Sequence, residues 1–139
     1  MERVYTTPLL DKLGIRPGMR VAIVGDLDDD EPTPQFRLEL ADRTSDIADG
    51  APRSDSDVVL LVADSTAELA AALPALRASI RPNGAIWVVS RKGKAATMRD
   101  VEVMAAAREH DLVDNKVASF SPTRTAIRLV IPVALRPRA

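Results

Sequence analysis

The apolar positions of this chain fall into short blocks punctuated by Pro, Gly and Asp, and the spacing within a block changes from one to the next. Val58-Val59-Leu60-Leu61-Val62-Ala63 is a continuous apolar run bounded by Asp57 and Asp64, the pattern of a strand buried on both faces of a parallel sheet. Ser65-Thr66-Ala67-Glu68 follows as a capping box, the Ser hydroxyl reaching the third backbone N–H and the Glu reaching back. Leu69, Ala72, Leu73, Leu76 and Ile80 then continue at helical spacing, with Pro74 expected to kink the helix. Arg81-Pro82-Asn83-Gly84 predicts a turn into a further apolar strand over 85–90, and Val101, Met104, Ala105 and Arg108 predict a helix over 97–110. Strands alternating with helices define an α/β chain.

Upstream, Thr7 is a helix N-cap with Pro8 at the first helical position, and Gly14 supplies the left-handed stop after Leu9, Leu10 and Leu13. Pro17-Gly18 fits the centre of a type II turn leading into a strand, Arg20-Val21-Ala22-Ile23-Val24-Gly25. That strand opens onto an acidic connector, Asp26-Leu27-Asp28-Asp29-Asp30-Glu31-Pro32-Thr33-Pro34-Gln35. Phe36-Arg37-Leu38-Glu39-Leu40-Ala41 alternates with period two and reads as a second strand, whereas residues 42–57 show no periodicity and read as a loop. At the other end, residues 112–120 and 125–133 are β-rich and joined by Ser121-Pro122-Thr123, tight enough to demand an antiparallel hairpin.

Length and composition fix the scale. A chain of 139 residues, 46% apolar, is expected to form one domain over 1–139 and to bury roughly two-thirds of its unfolded surface. A formal net charge of -1 provides no global field to gather nucleic acid or an anionic membrane. Most of the nineteen cations are Arg, which the Ala- and Arg-rich composition accounts for. Cysteine is absent, which excludes disulfides, thiolate metal sites and Cys nucleophiles. No basic amino-terminal region precedes an apolar core and no apolar run approaches ~18 residues, so a cytoplasmic protein is expected, with neither nucleic acid nor membrane as partner.

Parallel strands with helical crossovers and a terminal hairpin resemble the class I methyltransferase fold. In that comparison residues 57–64 match the fold's fourth strand, and Ile80-Arg81-Pro82-Asn83-Gly84-Ala85-Ile86-Trp87-Val88 the turn into its fifth. More closely, the chain resembles a bacterial family of small methyltransferase-like proteins of unknown function. The matching blocks are Thr7-Pro8-Leu9-Leu10-Asp11-Lys12-Leu13-Gly14-Ile15-Arg16-Pro17-Gly18-Met19-Arg20-Val21, then Ala67-Glu68-Leu69 through Trp87-Val88, and Leu112-Val113-Asp114-Asn115-Lys116-Val117. Family members often carry Trp-Ser-Gly-Leu-Lys where this chain has Arg124-Thr125-Ala126-Ile127-Arg128. The resemblance implies a Rossmann-like three-layer α/β sandwich, mostly parallel, with a carboxyl-terminal antiparallel hairpin.

It also implies where S-adenosylmethionine would sit: against a Gly-rich loop after the first strand, with an acidic residue ending the second strand on the ribose. Gly25 answers to the first, and Glu39 or Asp42 to the second. The connector over 26–35 is shorter than an ordinary crossover and contains Pro32 and Pro34, so at most one or two helical turns are expected there. Its five carboxylates disfavour the anionic NAD, FAD and ATP more than a sulfonium cofactor. Asp28-Asp29-Asp30 lacks the alternating spacing and central Gly of a calcium loop, so no metal site is assigned.

Ligands of open α/β sheets bind beyond the carboxyl ends of the strands. There the chain places Gly25, Asp26, Asp64 and Ser65 as cofactor-binding candidates, and Arg91, Lys92 and Lys94 as anion-binding candidates. His110, the only histidine, ends a helix where its charge suits the dipole, and no catalytic set is identified. The expectation is a binding or regulatory protein without a cofactor, with a protein partner or as a homodimer. The alternatives are a methyltransferase with a shortened cofactor loop, or a small-anion sensor.

Overall fold

The structure, a computed structural model, describes residues 8–27 and 33–136. Its centre is the apolar run read from the sequence: β3 (Ser56–Val62) lies parallel to β1 (Val21–Val24) on one side and to β4 (Ile80–Arg91) on the other. Short β2 (Ile47–Asp49) pairs parallel to β1 at one edge. Beyond β4 come β6 (Arg124–Val130) and then β5 (Val113–Ser119), both pairings antiparallel, for a sheet order β2-β1-β3-β4-β6-β5. The hairpin thus folds back so that its second strand, the more apolar one, lies inside.

Side chains alternate between the two faces. On one, Val59, Leu61, Ile86, Val88, Ile127 and Leu129 pack under α3 (Thr66–Ser79) and α4 (Asp100–Glu109). On the other, Val21, Ile23, Val58, Leu60, Trp87 and Val89 pack under α1 (Leu9–Lys12) and α2 (Thr33–Arg43). The layers are unequal over the hairpin: Ile127 and Leu129 are buried, while on the α1/α2 side Lys116 is exposed and Arg128 half-buried.

Two expectations fail on the amino-terminal half. Residues 36–41 form a helix, part of α2, not a strand. Phe36 and Leu40, four apart, are both buried while Leu38 between them is 69% exposed; a strand would have put all three on one face. Pro34 falls in the first turn, where a missing N–H costs nothing, so it begins this helix and does not prevent it, while Pro32 lies outside the described residues. The second strand is instead β2, within the segment read as a loop, three residues long and paired on one side only. The crossover from β1 to β2 is therefore a helical one of ordinary kind. The acidic run 28–30 and the capping residue Thr7 lie outside the described residues.

Elsewhere the local reading holds with adjustments. Gly14 and Gly18 take φ of +72° and +79°, as the helix stop and the type II turn require. The 81–84 turn bulges out of β4 between the register pairs Ser56↔Ile80 and Val58↔Ala85. Helix α3 runs through Pro74, whose side is exposed, from Thr66 to Ser79. In α4 the buried stripe is Val103, Ala106 and Ala107, with Val101 58% exposed.

Trp87 joins the layers. It is fully buried, and its indole N–H donates to the carbonyl of Leu13 at 3.0 Å, tying the end of α1 to the middle of β4. Removing the donor leaves a buried carbonyl unpaired and a partly filled space. Trp87→Phe is expected to lower the unfolding free energy by about 1–3 kcal/mol in chemical denaturation followed by circular dichroism; an unchanged midpoint would show that the contact contributes nothing.

Candidate functional site

Parallel pairing brings the carboxyl ends of β1, β2, β3 and β4 to one rim, and the hairpin turn joins them because β6 begins beside the end of β4, Arg124 opposite Arg91. Gly25, Asp26, Asp64, Ser65, Arg91, Lys92 and Lys94 are found along that rim, and of these Asp64 and Arg91 are bonded to each other. Asp64 is the junction. Its Oδ1 accepts the backbone N–H of Arg91 at 2.9 Å, its carbonyl accepts the Thr97 hydroxyl at 2.6 Å, and its Oδ2 lies 3.9 Å from Nη1 of Arg124. Ser65 caps α3, its Oγ accepting from the backbone N–H of Glu68 at 3.1 Å and donating to the Glu68 carboxylate at 3.2 Å. The Glu68 side chain thus closes the box on the hydroxyl.

The basic loop after β4 is similarly engaged. Lys92 donates through its backbone to the Thr123 carbonyl and through Nζ to the Ser119 hydroxyl at 2.7 Å, stitching the loop to the hairpin turn. Lys94 sits in an exposed 3-10 turn over Gly93–Ala95. Arg91 contributes its backbone N–H to Asp64.

Gly25 adopts φ +101°, and a Cβ built on it would meet the Cβ of Val62 at 2.9 Å and the Val62 carbonyl oxygen at 3.0 Å. The glycine is thus required by the neighbouring strand β3, on backbone and packing grounds. Asp26 next to it is exposed and Leu27 fully buried.

Two rim residues were not foreseen. Asp49 ends β2, so the carboxylate closing the second strand is neither Glu39 nor Asp42, which both ride on α2. It is exposed and paired with Arg37 at 3.1 Å. Three residues with two apolar side chains carry too little periodicity to announce a strand. Arg124, at the head of β6, is 1% exposed, the most deeply buried charge of the described residues. A lone Arg at a strand start gives no sequence signal of burial; only the ring of Ser121, Asp64 and the hairpin turn around it does. The Ser121 hydroxyl accepts the Arg124 backbone N–H at 3.0 Å.

Beside the rim, between α1, α2 and the hairpin turn, opens a cavity of about 490 Å³ whose apolar wall is Leu9, Phe36, Phe120 and Pro122. Phe36 and Phe120 meet edge to face with centroids 5.2 Å apart, anchoring α2 on the hairpin. Among the described residues no group of three or more His, Asp or Glu converges as metal ligands, and no helix is long and apolar enough to cross a membrane.

Gly25→Ala is expected to destabilise the protein by at least about 2 kcal/mol, from positive φ and the collision with Val62 together. Thermal unfolding without any added ligand measures it; a variant as stable as the parent would mean that the glycine is kept for something other than packing.

Comparison with solved structures agrees with this architecture. The pyocyanin biosynthetic protein PhzM superposes with a TM-score of 0.60 at 13% identity, over 86% of this chain and 52% of its own. A SAM-dependent methyltransferase from Aquifex aeolicus gives 0.63 at 11% identity, over 88% and 87%. A putative type 11 methyltransferase from Sulfolobus solfataricus gives 0.61 at 11%, over 88% and 89%. The chain therefore spans about half the length of PhzM and nearly all of the other two. At such identities the likeness is one of fold: a Rossmann-like, class I methyltransferase sheet with antiparallel carboxyl-terminal strands. No curated protein matches the sequence. A family profile matches residues 10–133, and the chain belongs to that family, the proteins of unknown function DUF3052.

Proposed function

We propose that this chain is a non-catalytic binding or regulatory protein, a methyltransferase-like scaffold that works through a protein partner or a second copy of itself. The observation that carries the reading is the commitment of the rim to internal bonds. Asp64, Ser65 and Lys92, the groups a ligand there would have to meet, are spent on Arg91, Thr97, Glu68 and Ser119. Gly25 is accounted for by Val62, which stands where its Cβ would be, so packing alone requires the glycine. One scaffold hosts many functions, so the sheet alone does not argue for methyl transfer.

A second reading, an S-adenosylmethionine-dependent methyltransferase, is favoured by Asp49. The carboxylate at the end of the second strand is the position that would take a ribose, and the crossover before it holds a full helix. The Arg37–Asp49 pair that occupies it is exposed and worth at most about 1 kcal/mol, a small obstacle to a ligand. Several neighbours are methyltransferases by name, including the Aquifex aeolicus protein.

Thermal unfolding with S-adenosylmethionine or S-adenosylhomocysteine at about 1 mM separates the two. A ligand with Kd of ~10 μM stabilises by roughly 2.7 kcal/mol, several degrees for a domain of this size. The leading reading expects a melting temperature unchanged by either compound. A shift of several degrees that Asp49→Ala removes would overturn it in favour of the methyltransferase.

A further inference from the structure

On the α1/α2 face, midway along the strands and away from the rim, β4, β6 and β5 bring three side chains into one row: Trp87 opposite Arg128, and Arg128 opposite Lys116. Like charges directly opposite on an antiparallel pair are destabilising. On the other face the same two strands oppose Val117 to Ile127 and Asp114 to Leu129, so the like-charged pair is confined to this face. Asn115 is the extra residue where the β5–β6 register shifts between Asp114 and Lys116, and this irregularity adds Asn115 to the same surface.

Above the row, Lys12 at the end of α1 completes a cavity of about 300 Å³ lined by Lys12, Trp87, Asn115, Lys116 and Arg128 together with Asp11. Its one carboxylate among the described residues, Asp11, is paired with Arg43 at 2.5 Å. Lys116 is steered toward α1 by donating to the Lys12 carbonyl at 3.2 Å, a contact that uses one of its three donors. The guanidinium of Arg128 is half-buried and makes no hydrogen bond or ion pair among the described residues. Burial and the nearby charge of Arg136 both act to lower its pKa from the ordinary value, the signature of a cation held where a counter-charge is lacking.

We propose that this cavity is a binding site for a phosphate dianion, free or as the monoester of a small metabolite, held by Arg128, Lys116 and Lys12 with Asn115 as a neutral partner. The planar fork of Arg128 matches two phosphate oxygens, and two ammonium groups supply the remaining charge. Trp87, locked by its bond to Leu13, provides a rigid floor that fixes the spacing of Arg128 from α1. The site is distinct from the rim and does not depend on whether the rim takes a cofactor. It also differs in place from the basic loop of Arg91, Lys92 and Lys94 named from the sequence.

The test is a titration of ¹⁵N-labelled protein with inorganic phosphate, and in parallel with ribose 5-phosphate, at constant ionic strength with chloride as the control anion. Saturating shifts at the Trp87 indole, Lys12, Asn115, Lys116 and Arg128 are expected, absent with chloride and weakened at least tenfold in Arg128→Gln. Because that variant relieves the cross-strand repulsion, its melting temperature should stay within about one degree of the parent's or rise, so lost binding cannot be ascribed to unfolding. Tighter binding of ribose 5-phosphate supports an esterified ligand at the site; equal or tighter binding of inorganic phosphate supports the free ion. Shifts that fail to saturate, that centre on Arg91, Lys92 and Lys94, or that persist unweakened in Arg128→Gln overturn the proposal.

Discussion

A buried guanidinium governs the rim where the parallel strands of this molecule end. Arg124 is withdrawn from water at the point where the last strand meets the central parallel strands, and a charge so placed is tolerated only where opposite charge and hydrogen-bond acceptors face it. Asp64 supplies the charge from the end of β3. The same carboxylate orders the end of β4 through the Arg91 N–H, and its residue's carbonyl holds Thr97, the approach to α4. Strand ends, hairpin and helix entry thus meet at one residue.

Two of the positions singled out along the rim serve the fold itself. The turn glycine after β1 answers to Val62, and the serine after β3 answers to its helix. On the open face of the hairpin, opposed cations stand around a cavity whose one acid among the described residues is already paired. The sheet's register makes that grouping, since Lys12, Lys116 and Arg128 are far apart in the chain.

Much of this was legible in the sequence where patterns were long or chemically distinctive. The run over 58–62 could only be a strand buried on both faces, Ser65 with Glu68 marked the start of α3, and the 121–123 turn forced a hairpin. The failures were at short or ambiguous patterns. Phe36, Leu38 and Leu40 satisfy a strand and, taken as Phe36 and Leu40 alone, a helix; tertiary contact with Phe120 decided for the helix. Ile47-Ala48-Asp49 is too short to show a period and is a strand only because β1 offers an edge. At the candidate sites, the rim positions of Asp64, Ser65 and Lys92 could be anticipated, but their mutual bonding could not. The burial of Arg124 and the Lys116–Arg128 opposition exist only once strands are in register.

The most direct measurement is a double-mutant cycle on the rim: unfolding free energies of the parent, Asp64→Asn, Arg124→Met and the combined variant. If the two charges serve as a structural lock, they should couple by about 1–3 kcal/mol, with Asp64→Asn costing far less once Arg124 is gone. Additive effects, within about 0.3 kcal/mol, would contradict the lock and return both residues to the pool of groups held ready for a ligand.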